Sequence, residues 1–207
     1  MTKSALQFRA GLGVALLLAC AGMVSAAQVG KPAPAFSARD LDGKTVALAG
    51  LKGKVVVLEW HNKGCPFVVK HYGSGNLPAL QAKWTAKGVV WISIVSSAPG
   101  KEGFCTPDDA RADIAATKTA VTAMLLDPEG KIGRAYGAKC TPHMFIVNPR
   151  GVLAYNGAID DRPTADTSDI SGAVNYVDQA LTELLAGKKI SVSTTTPYGC
   201  GIKFAKP

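Results

Sequence analysis

One segment constrains the fold more than any other. Residues 55–60, Val-Val-Val-Leu-Glu-Trp, form a nearly unbroken run of β-favouring apolar side chains, the pattern of a strand buried on both faces of a sheet. Four loop residues later come Cys65 and Pro66, and proline is favoured in the first position of a helix. A buried strand leading directly into a helix is the opening unit of an α/β sheet, and further such units follow. Apolar strand patterns recur at residues 89–95, 123–126, 143–147 and 152–158. Between them lie helical patterns at residues 66–87, interrupted at Gly73-Ser74-Gly75, from Thr106-Pro107 onward, at 131–136 and at 172–186, several stopped by glycine. Asp42-Gly43 marks an early hairpin, and Asn148-Pro149-Arg150-Gly151 is a tight turn that makes the last two strands antiparallel. The expected architecture is α/β, a central mixed β-sheet with helices on both faces.

The N-terminus stands apart from this pattern. Lys3 and Arg9 precede an apolar run, and Val24-Ser25-Ala26-Ala27 ends in small residues, which together read as a secretory signal over residues 1–27. The uncharged run is short and diluted by glycine and serine, which argues against a membrane anchor. A competing reading makes Leu17-Leu18-Ala19-Cys20 a lipobox, with the exported protein anchored through Cys20. Export to the periplasm is the expectation in both cases, with a domain over residues 28–190 and a C-terminal tail over residues 191–207.

Four cysteines lie beyond the leader, Cys65, Cys105, Cys140 and Cys200. An oxidising compartment permits disulfides and makes unpaired thiols unusual unless they react. The formal charge of +8 is spread along the chain and is not interleaved with aromatic residues, so a solvated surface explains it better than nucleic-acid binding.

Cys65 is the strongest chemical signal. At a strand-to-helix junction its sulfur faces free backbone N–H groups and the positive end of the helix dipole, which favour thiolate over thiol. His61, Lys63 and Lys70 stand near enough in sequence to add positive potential. Cys140-Thr141-Pro142 precedes the strand at residue 143, and a proline entering a central strand marks an irregularity, often a cis bond. Asp160-Asp161 sits beside Arg162, and ion pairing with that arginine or a lysine is the expectation for these carboxylates.

These elements carry a resemblance. The order strand, Cys-Pro at a helix start, helix, strand and Thr-Pro before a hairpin looks like the thioredoxin fold. Trp60-His61-Asn62-Lys63-Gly64-Cys65-Pro66-Phe67-Val68-Val69-Lys70-His71-Tyr72, with Tyr136-Gly137-Ala138, Thr141-Pro142-His143, Gly157-Ala158-Ile159-Asp160-Asp161 and Gly199-Cys200-Gly201-Ile202-Lys203, closely resembles the peroxiredoxin-like redoxins of the alkyl hydroperoxide reductase and thiol-specific antioxidant group. The resemblance covers residues 29–203. It implies a redox-active Cys65 faced by a cis Pro142. Departures accompany it. Val68 stands where a thioredoxin carries its second cysteine, and Leu58 and Asn62 stand where peroxidatic sites carry proline and a hydroxyl residue.

A Cys65 that attacks a disulfide or hydroperoxide needs a second thiol to release it. Cys200 in the tail ranks first, Cys140 beside the presumed cis-proline second, and Cys105 third; a structural bridge among these three is the bland alternative. The expected activity is that of a thiol-dependent oxidoreductase acting on a small peroxide or a disulfide, with a redox partner protein or small thiol as electron donor and no cofactor. The competing reading is a copper-binding or non-catalytic module using Cys65 with Cys140 or Cys200 and one of His61, His71 and His143.

Overall fold

The computed structural model describes residues 26–206, so the leader to residue 25, Cys20 included, lies outside the described residues. The run at residues 55–60 becomes β3 (Val56–Trp60), with β1 (Ser37–Arg39) and β2 (Thr45–Ala47) forming the early hairpin before it. After β3 come α1 (Pro66–Gly73), α2 (Asn76–Thr85), β4 (Val90–Val95), α3 (Pro107–Thr117), β5 (Ala123–Leu126), α4 (Lys131–Tyr136), β6 (Cys140–Thr141), β7 (His143–Val147), β8 (Leu153–Gly157), α5 (Tyr176–Leu185) and β9 (Cys200–Gly201).

The central sheet has the order β5-β4-β3-β7-β8. β3, β4 and β5 run parallel, and β7 and β8 run antiparallel to their neighbours, so the sheet is mixed as expected. Period-two alternation along β3 divides the core. Val57 points into a cluster with Val68 and Tyr72 of α1, Leu77 and Trp84 of α2, and Val177 and Leu181 of α5. Val56, Leu58 and Trp60 point to the other face, against Ile132 and Tyr136 of α4, Phe145 of β7 and the N-terminal segment. α3 closes a smaller cluster with Val95, Cys105 and Met124.

Local sequence explains the element ends. Gly73-Ser74-Gly75 breaks the long helical pattern as expected, because Gly75 takes a left-handed conformation with φ 77°. Thr106 and Asp109 form a reciprocal cap at the start of α3. α5 begins later than the pattern suggested. Residues 167–172 form a 3-10 segment, and the Asn175 side chain accepts from Asp178 N at 2.8 Å to start the helix.

The last segment departs most from expectation. A run ending in Thr-Thr-Thr-Pro reads as flexible, yet the tail is pinned along its length. Asn156 N donates to Ser193 O at 3.1 Å, and Thr195 Oγ1 accepts from Ala158 N at 2.8 Å and pairs with Tyr155 Oη at 2.7 Å. β9 then pairs antiparallel with β6. Beyond it Ala98 N donates to Lys203 O at 2.9 Å, and the Phe204 ring lies against Gly130 and Gly133 with the Arg134 guanidinium 4.8 Å from its centroid.

Candidate active site

Cys65 caps α1, with extended backbone and Pro66 in the first helical turn. It is fully buried, and its Sγ lies 3.0 Å from Thr141 O. The Thr141-Pro142 peptide is cis, so the irregularity inferred at Pro142 is present and faces the thiol. As a thiol, Cys65 donates to that carbonyl. As a thiolate, it accepts from other groups. Burial alone pushes the Cys65 thiol up, but hydrogen bonds from the Cys200 thiol, the Thr141 side chain and the backbone N–H groups of Val68 and Cys200 outweigh burial and hold it below the ordinary cysteine range.

Cys200 is brought to this site by the β6–β9 pair. Thr141 stands opposite Cys200 and Cys140 opposite Gly201. Side chains alternate across a strand, so Cys200 shares the face of Thr141, while Cys140 points to the other. Cys140 Sγ is 3.7 Å from Pro142 O. Burial pushes Cys140 up to about 11, with the charge of Cys65 adding to the shift. Cys200 is also raised, to about 12, first by burial and then by its hydrogen bond to Cys65. The two thiols are thus shifted in opposite directions, Cys65 down and Cys200 up. Cys105 lies in the α3 cluster, where burial raises it to about 11. All four cysteines are free thiols.

The cations that the sequence places around Cys65 serve other partners. Lys63 Nζ pairs with Asp109 at 3.1 Å, and the buried Lys70 Nζ donates to Arg162 O at 3.0 Å. His61 lies between two carboxylates, with Nε2 2.8 Å from Asp113 Oδ2 and Nδ1 3.8 Å from Glu59 Oε1. Burial opposes its protonation, but Asp113 and Glu59 override it and raise His61 to about 9. The leading causes of the lowering at Cys65 are not these cations but hydrogen-bond donors at the helix start, on β6 and on β9. Asn62, which could have donated toward the thiol, is committed to its own loop. Its Oδ1 accepts from Gly64 N at 2.9 Å, and its Nδ2 lies against Gly103.

The burial of two carboxylates escaped the sequence reading. Glu59, inside an otherwise apolar strand, accepts from Tyr72 Oη at 2.6 Å, Gln81 Nε2 at 3.0 Å and Trp91 Nε1 at 2.7 Å. Asp160 is 2% exposed. Its Oδ1 accepts from Arg162 N at 2.9 Å and from the Tyr198 hydroxyl, and its Oδ2 has no hydrogen-bond partner. Asp161 does pair with Arg162, at 3.5 Å, so the ion-pair expectation holds for one member of that dipeptide and fails for the other.

The histidines are similarly engaged. His143 Nδ1 accepts from Lys139 N at 3.2 Å and its Nε2 pairs with Asn156 Oδ1 at 2.8 Å; burial lowers it to about 4 and keeps it neutral. His71 Nδ1 lies 2.9 Å from Asn76 Nδ2 and its Nε2 3.2 Å from Tyr198 Oη, and burial lowers it to about 4 as well. Among the described residues no group of three or more His, Cys, Asp or Glu converges as metal ligands would.

The AhpC/TSA family model matches residues 29–156. No curated protein sequence matches the chain. Among solved structures, a hypothetical protein of Sinorhizobium meliloti is 24% identical with a TM-score of 0.74, covering 88% of this chain and 98% of its own. A proposed thiol:disulfide interchange protein, DsbE, of Chlorobium tepidum is 24% identical with a TM-score of 0.52, covering 63% of this chain and 85% of its own. A secreted Mycobacterium tuberculosis disulfide oxidoreductase homologous to Escherichia coli DsbE is 22% identical with a TM-score of 0.50, covering 66% of this chain and 92% of its own. These likenesses show a thioredoxin-like α/β fold.

Proposed function

Since the chain belongs to the AhpC/TSA family of redoxins, we propose that it is an exported thiol–disulfide oxidoreductase in which Cys65 is the nucleophile and Cys200 the resolving thiol. The observation that carries this reading is the β6–β9 pair, which sets Cys200 opposite Thr141, the residue whose carbonyl lies 3.0 Å from Cys65 Sγ. The secretory pattern of residues 1–27 and the secreted disulfide oxidoreductase among the similar structures support export.

The thiolate of Cys65 attacks one sulfur of a substrate disulfide. A bond forms between Cys65 Sγ and that sulfur, the substrate S–S bond breaks, and the other substrate sulfur leaves as a thiolate. Cys200 then gives up its proton and attacks Cys65 Sγ, expelling the second substrate thiolate and leaving a Cys65–Cys200 disulfide. Substrate is reduced by two electrons, and an external dithiol or pair of thiols restores the two cysteines. The asymmetry of the thiols suits these roles, since the thiolate attacks and Cys200 keeps its proton until Cys65 has been consumed.

Disulfide exchange is favoured over peroxide reduction by what surrounds Cys65. The position that would orient a peroxide is Asn62, whose amide is held by Gly64 and packed on Gly103. Turnover of a small-molecule disulfide and of hydrogen peroxide, each with dithiothreitol as donor, tests the reading. Disulfide turnover should exceed peroxide turnover, and Cys65→Ser should abolish it. Cys200→Ser should accumulate a mixed disulfide on Cys65, seen by mass spectrometry. Undiminished turnover in Cys65→Ser would overturn the assignment.

A further inference from the structure

Cys200 sits on a two-residue strand at the end of a long connection, and something must hold it against a sulfur that lies at the start of α1. The residue that makes this connection is Tyr198. Its hydroxyl donates to Asp160 Oδ1 and stands 3.2 Å from His71 Nε2, and its ring meets the Phe67 ring edge-on at 5.8 Å. Phe67 is the second residue of α1 and His71 lies further along it, so one tyrosine grips the helix that presents Cys65 and, through Asp160, the loop after β8. The backbone between Tyr198 and Cys200 is equally constrained. Gly199 has φ 137°, and a Cβ there would stand 2.0 Å from Thr141 O, so only glycine lets the tail lie flush against the residue preceding the cis bond.

We propose that Tyr198 is a positioning residue, a latch that seats Cys200 over Cys65 and by the same contact closes Cys65 to external reagents. The inference rests on the Cys65–Cys200 reading above. Flanking anchors at Thr195 and Lys203 fix the ends of this stretch, so residues 196–201 form a short arch whose deepest side-chain anchor is Tyr198. With the arch seated, Cys65 is fully buried. With it lifted, Cys65 opens and Cys200 leaves. One closing equilibrium therefore sets both the effective concentration of Cys200 at Cys65 and the accessibility of Cys65, and loosening the latch must move the two in opposite directions.

Tyr198→Phe retains the ring against Phe67 and removes the hydroxyl. In the full chain we expect the equilibrium constant for forming the Cys65–Cys200 disulfide, measured in dithiothreitol or glutathione buffers, to fall about fivefold to tenfold, the size expected for net loss of one hydrogen bond. In a Cys200→Ser background, the rate at which iodoacetamide alkylates Cys65 should rise by a similar factor. Gly199→Ala, which leaves Tyr198 in place but pushes the arch off Thr141 O, should act in the same directions. Alkylation of Cys105 and Cys140 should not change, whereas general loosening of the domain would expose all three buried thiols together.

A disulfide equilibrium within twofold of the parent, or a Cys65 alkylation rate that does not rise, would overturn the latch. Failure of the underlying reading looks different, because the unaltered chain would then form no Cys65–Cys200 disulfide. In that event the alkylation measurements still decide whether Tyr198 closes the site.

Discussion

Glu59 and Asp160 are both buried carboxylates that bind a tyrosine hydroxyl and face a histidine at 3.8 Å, yet they are used in opposite ways. The Glu59 carboxylate is filled. Its donors, Tyr72, Gln81 and Trp91, come from α1, α2 and β4, all within the main core. Burial pushes its carboxyl up, but the His61 imidazole 3.8 Å away, with the Tyr72 and Trp91 donors, outweighs that and holds it below the ordinary glutamate value. The Asp160 carboxylate is filled on one oxygen only, and its tyrosine comes from the tail. A fully satisfied buried network rigidifies a core, while a partly satisfied one gives up less when it opens. The first ties the cysteine-bearing helix to the sheet; the second holds the segment that carries Cys200.

The sharpest way to break this contrast is Glu59→Ala. It orphans three buried donors and leaves the His61 charge without one of its two carboxylates, and it should cost about 4 kcal/mol or more of unfolding free energy in chemical denaturation. A cost no larger than that of the corresponding change at Asp160 would erase the distinction.

The pH dependence of stability comes next. His61 is raised to about 9 in the folded protein, above its unfolded value near 6.5. Its contribution is therefore complete below pH ~6.5 and is lost as pH rises through 9, by roughly 3 kcal/mol across that window. His71 and His143 are lowered to about 4, so their contribution is present above pH ~6.5 and declines as pH falls toward 4. Denaturation midpoints followed from pH 4 to pH 10 should show both limbs, and His61→Gln should flatten the alkaline one alone.

At the tail, Asp160→Asn should cost only about 1 kcal/mol of stability while weakening the Cys65–Cys200 disulfide, because the amide keeps the shape but makes a poorer acceptor for Tyr198. The smallest effect belongs to Cys140→Ser. Its side chain points to the opposite face of β6 from Cys200, so disulfide turnover should stay within about twofold of the parent, with a stability loss on the order of 1 kcal/mol from burying a hydroxyl. Loss of turnover in that variant would shift the resolving role to Cys140.

Most of the central sheet was legible because its cause is local. Apolar runs, Gly73-Ser74-Gly75, the Thr106 cap and the turn at residues 148–151 each announce themselves within a few residues. Cys65 at the head of α1 was legible for the same reason. The partners of Lys63, Lys70 and His61 were not, since Asp109, Arg162 and Asp113 reach them through tertiary packing. Proximity in sequence suggested a cationic halo that the fold spends elsewhere. Glu59 carried a signal that could have been read, a lone carboxylate within a strand buried on both faces, which can persist only with several donors. The tail was misread because Thr-Thr-Thr-Pro looks like a linker by composition. Gly199-Cys200-Gly201 held the better clue, small residues where one backbone must approach another closely.

Joining Cys65 to Cys200 would close a loop that contains α1 to α5 and β4 to β8, and leaves β1, β2 and β3 outside it. Closing so long a loop removes entropy from the unfolded chain worth up to about 5 kcal/mol in the chain-entropy description. Redox state and folding are then two sides of one thermodynamic cycle. Oxidation would stiffen the domain against heat and proteases, and whatever loosens the oxidised fold more than the reduced one would by the same free energy make its disulfide a stronger oxidant.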